Sequence, residues 1–217
     1  QECKVLNKAR IIGSYANQGR LLSRLDRLEE GQKIFEDFTI NTKFLEDLQT
    51  KNEKSLGAYF YFEMAQLENK IGDLRLAEKN YLLALRLAKE IDETRKIIDA
   101  SINLVGVFYT LKEANPAIQT ITPIINLLES GEANLSSRLT RAKMISSRVN
   151  LANAYMSTED LDQAYQTNKT VLELNPSIDK RIAALNNLGI VQRKRGELDD
   201  ALNYLTMALD TSKKYNV

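Results

Sequence analysis

Asparagine is the residue whose type and placing carry chemistry in this 217-residue chain. Asn17, Asn103, Asn150 and Asn187 recur along it, and each side-chain amide offers a donor and an acceptor together. One peptide unit of an extended chain presents the complementary pair, so a regular run of such amides could follow a backbone without reading its side chains. Catalysis has poorer material. There is no histidine, the commonest general base, and no glycine-rich phosphate loop. The single cysteine, Cys3, has no second thiol or imidazole to join in a disulfide or a metal site. The acidic pairs Glu29-Glu30, Glu159-Asp160 and Asp199-Asp200 fall at expected helix starts, where the helix dipole favours negative charge, and read as termini rather than catalytic carboxylates. The sequence therefore implies neither an enzyme nor a cofactor.

A repeat must position these amides. The segment from Ile182 to Tyr215 carries Leu188-Gly189, Gly196, Ala201 and Ala208 at spacings that join two antiparallel helices. The scheme returns in the unit from Ile145 (Leu151-Ala152, Tyr155, Leu161, Ala164, Val171) and in the unit from Ala58 (Tyr61, Met64-Ala65, Gly72, Leu74, Ala77, Tyr81, Ala84). It is looser from Ile98 (Leu104-Val105, Phe108, Ala117, Ile121) and from Ile12 (Gln18-Gly19, Leu22, Leu28, Gly31, Phe35, Phe38). A period of about 34 to 47 residues with small residues at fixed places marks helix pairs that bury their apolar faces by stacking on neighbours. Gly19, Ala65, Ala152 and Gly189 are expected where a first helix approaches its partner. Gly31, Ala77, Ala117, Ala164 and Ala201 do the same on second helices, while Phe35, Tyr61, Tyr81 and Leu205 fill the space between layers.

At these positions the residues resemble the tetratricopeptide repeat family over about residues 12 to 215, although no unit has the tryptophan often found near the start. The resemblance implies an all-α fold: a right-handed superhelical solenoid of about five antiparallel helix pairs, one domain over 1–217, with repeats near 12–45, 58–91, 98–131, 145–178 and 182–215. In that frame the sixth place of each first helix, occupied by Asn17, Glu63, Asn103, Asn150 and Asn187, points into a concave groove. Members that hold extended peptides often use an asparagine ladder there. The implied peptide-binding face also carries Asn153, Gln66, Tyr59, Tyr109, Arg20 and Arg193, with Phe62, Met156 and Asn69 nearby. A solvated face is the competing reading, with Phe62 simply in the core. The fifth places, Ala16, Phe62, Ile102, Val149 and Asn186, contain no lysine, which disfavours the chaperone-type carboxylate clamp. Units longer than the family's basic length resemble the long-helix subset found in bacterial regulators and some cortical scaffold proteins. Some of that subset sequester or dephosphorylate a partner.

Composition sets the remaining bounds. The chain is 43% hydrophobic and 27% charged, with a net charge of +1. That balance gives no general electrostatic reason to bind nucleic acid or anionic lipid directly, and no apolar run is long enough to span a membrane. A start at Gln1 fits either a removed signal peptide or excision from something longer, so the cytoplasm and an extracytoplasmic compartment are equally open. Glu2 before Cys3 does not resemble a lipoprotein site. The end at Tyr215-Asn216-Val217, directly after a repeat, implies a fragment of a longer protein, or a partner or second copy that covers the last layer. Two settings follow for a peptide-binding scaffold: the sensing or interaction region of a bacterial signalling or regulatory protein, and a stand-alone assembly adaptor acting through its convex face or ends. Helices are expected at about 3–26, 29–50, 55–71, 74–91, 94–112, 115–130, 134–158, 161–174, 178–195 and 198–215. Asn115 should cap a helix whose first residue is Pro116, and Pro123 should kink that helix or restart it.

Overall fold

The computed structural model describes the backbone of residues 2–216 and the side chains of residues 7–216. Cys3 therefore has no described side chain. Among the described residues there are ten helices and no strand. They divide into two compact units that meet in sequence between Val107 and Phe108. The first unit holds α1 (Glu2–Arg24), α2 (Leu28–Asn41), α3 (Lys51–Ile71), α4 (Leu74–Glu90) and most of α5 (Thr94–Thr110). The second holds the end of α5, then α6 (Ala114–Glu129), α7 (Ser137–Ser157), α8 (Leu161–Glu173), α9 (Ile178–Arg195) and α10 (Leu198–Tyr215).

The turn inside each pair shows the repeat most plainly. One left-handed residue stands in every such turn: Asp26 (φ 61°), Gly72 (φ 100°), Lys112 (φ 62°), Glu159 (φ 60°) and Gly196 (φ 85°). Reversal within two or three residues requires this conformation, and only two of the five places use the residue that adopts it without strain. The next residue takes the capping place of the second helix. Asp73 and Asp160 accept there from the N–H groups of Leu76 and Gln163, both at 3.2 Å. At α3 the helix starts in a capping box. Thr50 Oγ1 accepts from Glu53 N at 3.1 Å, and Glu53 Oε2 accepts in return from Thr50 N at 2.9 Å.

Small residues set the approach of paired helices. A methyl group added at Gly19 of α1 would lie 2.2 Å from the Phe35 ring of α2. One added at Gly189 of α9 would lie 2.7 Å from Leu205 and 3.2 Å from the Ala201 carbonyl of α10. In the first unit Ile12, Ala16, Phe35, Phe38, Phe60 and Leu67 form one core cluster, in which Phe60 meets both Phe35 and Phe38 with ring centroids 5.0 Å apart. In the second unit Ile145, Val171 and Ala184 join α7, α8 and α9.

Three local expectations need correction. The second helix ends at Asn41 rather than near 50, because Thr42 turns extended and the stretch to Thr50 supplies the next capping box. The third starts at Lys51, not 55. Asn115 and Pro116 do not open α6, which begins at Ala114 with Glu113 in the capping place. Both residues stay in the first turn, where a proline's missing N–H removes no helix bond. Pro123 lies inside α6, and the helix runs through it to Glu129 without restarting.

Candidate functional site

In the first unit the structure brings four of the expected site residues together across α1 and α3. The Tyr59 hydroxyl donates to Asn17 Oδ1 at 3.0 Å, and Arg20 Nη2 donates weakly to the same oxygen at 3.4 Å. One turn along α3, Gln66 Nε2 donates to Glu63 Oε2 at 3.3 Å. Glu63 is only 7% exposed. Its carboxyl is pushed up by burial, against the pull of Arg20 and Arg24, and its proximity helps raise the Tyr59 hydroxyl, whose own burial acts first. Arg20 keeps a buried Nε with no acceptor in the protein.

The second unit repeats the linkage in another form. Asn187 Nδ2 on α9 donates to Asn153 Oδ1 on α7 at 3.0 Å, and at 3.3 Å to Asn168 Oδ1 on α8. Asn168 is fully buried and donates its own Nδ2 to the Ala164 carbonyl at 2.8 Å. In both units, then, a first helix reaches the next first helix through a side-chain amide at 3.0 Å. Each amide that does so uses one half. Asn17 accepts and keeps its N–H2, while Asn187 donates and keeps its oxygen.

Other expected residues sit apart from these clusters. Asn103 turns its amide back to the Asp99 carbonyl of its own helix at 2.8 Å. Asn150 is half-buried on α7, Arg193 is exposed in the last turn of α9, and Tyr109 is 52% exposed at the end of α5. Phe62 is half-buried, with its ring centroid 5.7 Å from that of buried Tyr81. Met156 is half-buried and Asn69 exposed.

Asn168 and Asn80 are buried amides that were not among the candidates. Asn168 stands four residues after Ala164, the place taken by Phe35, Tyr81, Ile121 and Leu205 in the other units. An amide where its counterparts are large and mostly apolar is the signal that would have found it. Asn80 on α4 donates its Nδ2 to both oxygens of buried Glu68 on α3, at 2.9 and 2.8 Å. Among the described residues no group of acidic or cysteine side chains is arranged to hold a metal ion, and no helix is long and apolar enough to cross a membrane.

Residues 143–214 match the family described as tetratricopeptide repeat. Solved structures extend the likeness over nearly the whole chain. BtubC (BKLC) from P. vanneervenii superposes with a TM-score of 0.76 at 18% identity, covering 97% of this chain and 83% of that one. MamA residues 41 to the end from Desulfovibrio magneticus RS-1 gives 0.68 at 16% identity, covering 97% and 98%. The apo form of RapI gives 0.75 at 18% identity, covering 94% and 71%. No curated protein sequence matches the chain. Residues 143–214 thus resemble tetratricopeptide repeats, and the chain shares the all-helical fold of these structures along its length.

Proposed function

We propose that the protein binds an extended peptide or protein segment on the first helices of its pairs, within either unit. The amide linkage found in both units supports this reading. Asn17 keeps an N–H2, Asn187 keeps an oxygen, and Arg20 keeps a buried N–H without an acceptor. Donors and acceptors held in place on first helices suit the alternating polar groups of an extended backbone. Each such bond contributes about 0.5 to 1.5 kcal/mol net, whereas micromolar affinity needs about 8 kcal/mol beyond the cost of association. Apolar contacts such as those Tyr59, Tyr109 and Met156 could make must supply the larger share.

The long first helices, 23 residues in α1 and 21 in α3 and α7, support a setting like the long-helix subset of the family, as the sensing or interaction region of a bacterial signalling or regulatory protein. The alternative is an assembly adaptor that acts through its convex face or ends. Exposed leucines on α10 favour, as a second mode of assembly, self-association through a terminal repeat.

Selection from a displayed library of random peptides tests the binding reading. The wild-type chain should enrich peptides that an Asn17→Ala, Asn103→Ala variant binds several-fold more weakly at nearly unchanged melting temperature, since Asn17 is exposed and Asn103 bonds only its own helix. Equal binding by both proteins would move function to the convex face or the ends.

A further inference from the structure

We propose that α7 and α9 hold an acidic peptide segment, with one of its carboxylates on Lys180 and its backbone on Asn153 and Asn187. The proposal rests on the reading that first helices bind an extended chain, and it names the chemistry of that chain. A net charge of +1 over the whole sequence conceals a segregation within the second unit. α7 carries Arg138, Arg141, Lys143 and Arg148 and has no acidic residue in its 21 positions. α9 sets Asp179 alone against Lys180, Arg181, Arg193, Lys194 and Arg195. The second helices α8 and α10 are each net acidic. Ion pairs within the chain answer part of this charge, since Arg148, Lys194 and Arg195 meet Glu129, Glu159 and Asp162. Arg138, Arg141, Lys180 and Arg181 have no ion pair among the described residues.

Lys180 is the anchor. It is half-buried, and its ammonium donates to the hydroxyl of Ser146 on α7, a neutral group whose own hydrogen goes to the Ala142 carbonyl at 3.1 Å. Burial and the nearby charge of Lys143 hold the ammonium below its ordinary pKa, and no acidic side chain among the described residues opposes them. A bound carboxylate supplies that countercharge through a charge-assisted hydrogen bond. Seven residues on, Asn187 donates to Asn153 of α7 at 3.0 Å, and seven further on Lys194 reaches Glu159 just beyond α7. The three form one line along α9 that faces α7. Two helical turns separate Lys180 from Asn187 by about 10 Å, the reach of about three residues of an extended chain. The Asn187 oxygen and the Asn153 N–H2 make no bond among the described residues. A peptide unit therefore rests on them while an acidic side chain about three residues away meets Lys180. Nucleic-acid bases find no stacking platform here: α9 has no aromatic residue, and Tyr155 of α7 stands on the other side of that helix from Asn153.

Peptides selected on the full chain at low salt from a displayed random library test this. They should be richer in aspartate and glutamate than the unselected library. Fluorescence anisotropy with one such peptide should show binding weakened several-fold when its acids are replaced by the matching amides, and several-fold by Lys180→Gln at a nearly unchanged melting temperature. The two losses should not multiply, because both remove the same contact. Lys169→Gln takes the same charge from an exposed place on α8 and should change binding little. Selected peptides no more acidic than the library, or equal losses from Lys180→Gln and Lys169→Gln, would overturn the acidic partner while leaving peptide binding in place. An oligothymidine strand of equal length that binds more tightly than the acidic peptide would overturn the choice of a peptide. A chain that enriches no peptide would overturn both this assignment and the reading beneath it.

Discussion

Replacing Glu68 with glutamine should stabilise the first unit above neutral pH and do little near pH 5. Glu68 is 3% exposed on α3, and its polar partner is Asn80 on α4, which donates to both of its oxygens. The loss of water outweighs those bonds, and the charge of Asp73 adds to it, so the carboxyl is pushed from the ordinary 4.5 up to about 7. The folded protein therefore holds this proton at a pH where the unfolded chain has released it. The contribution to stability is full below about pH 4.5, falls as pH rises, and is lost above about pH 7. The interval corresponds to about 3 kcal/mol for a single site. Glutamine cannot ionise, and its carbonyl oxygen can still accept from Asn80. Urea unfolding of both proteins between about pH 5 and pH 8.5 should show the variant gaining about 2 to 3 kcal/mol on the wild type across the range. A difference that stays constant with pH would refute the desolvation argument, and one that grows toward acid would refute its sign.

Lys112→Gly should stabilise the protein by about 0.5 to 1 kcal/mol, because it relieves a left-handed lysine in the α5–α6 turn; thermal melting checks this. Gly19→Ala should destabilise by about 1 to 3 kcal/mol in urea unfolding, since the added methyl meets a Phe35 ring already packed against Phe60. Asn187→Ala should cost about 1 to 3 kcal/mol of stability by orphaning the buried oxygen of Asn168, whereas Asn103→Ala should cost less, and a comparison of their denaturation midpoints would show which asparagine the fold depends on.

The helix pairs were legible in the sequence because close approach leaves a mark that survives divergence. Gly19 and Gly189 are small for a steric reason, and buried Ala77, Ala164 and Ala201 hold the matching places on second helices. The repeat placed all five turns, but their left-handed residue was legible only where glycine stands, at Gly72 and Gly196. Asp26, Lys112 and Glu159 adopt the same left-handed backbone under tertiary constraint, without a residue type that announces it. The end of α2 was missed for a similar reason: the polar stretch after Asn41 does not break helical periodicity, and the capping box at Thr50 dictates where α3 begins.

The candidate site was legible by position and not by partnership. Counting from the repeat puts Asn17 and Asn187 on first helices, where the structure has them, but it says nothing of what each amide bonds. Asn187 is tied to Asn168, which a count of first-helix places does not visit, and Asn103 turns back on its own helix. Tyr59 was expected on the same face, and its hydroxyl fixes the Asn17 amide. These bonds depend on the distance between neighbouring helices, which single-helix periodicity does not specify.

The most direct test of the account follows the side-chain amide signals of asparagine in isotope-labelled protein by NMR, during titration with a peptide selected from the displayed library. The account predicts that signals of Asn17, Asn103, Asn150 and Asn187 on first helices shift in proportion to occupancy, while those of Asn126 and Asn203, exposed on second helices, stay in place. Shifts confined to Asn126 and Asn203, with the first-helix asparagines unmoved, would contradict it.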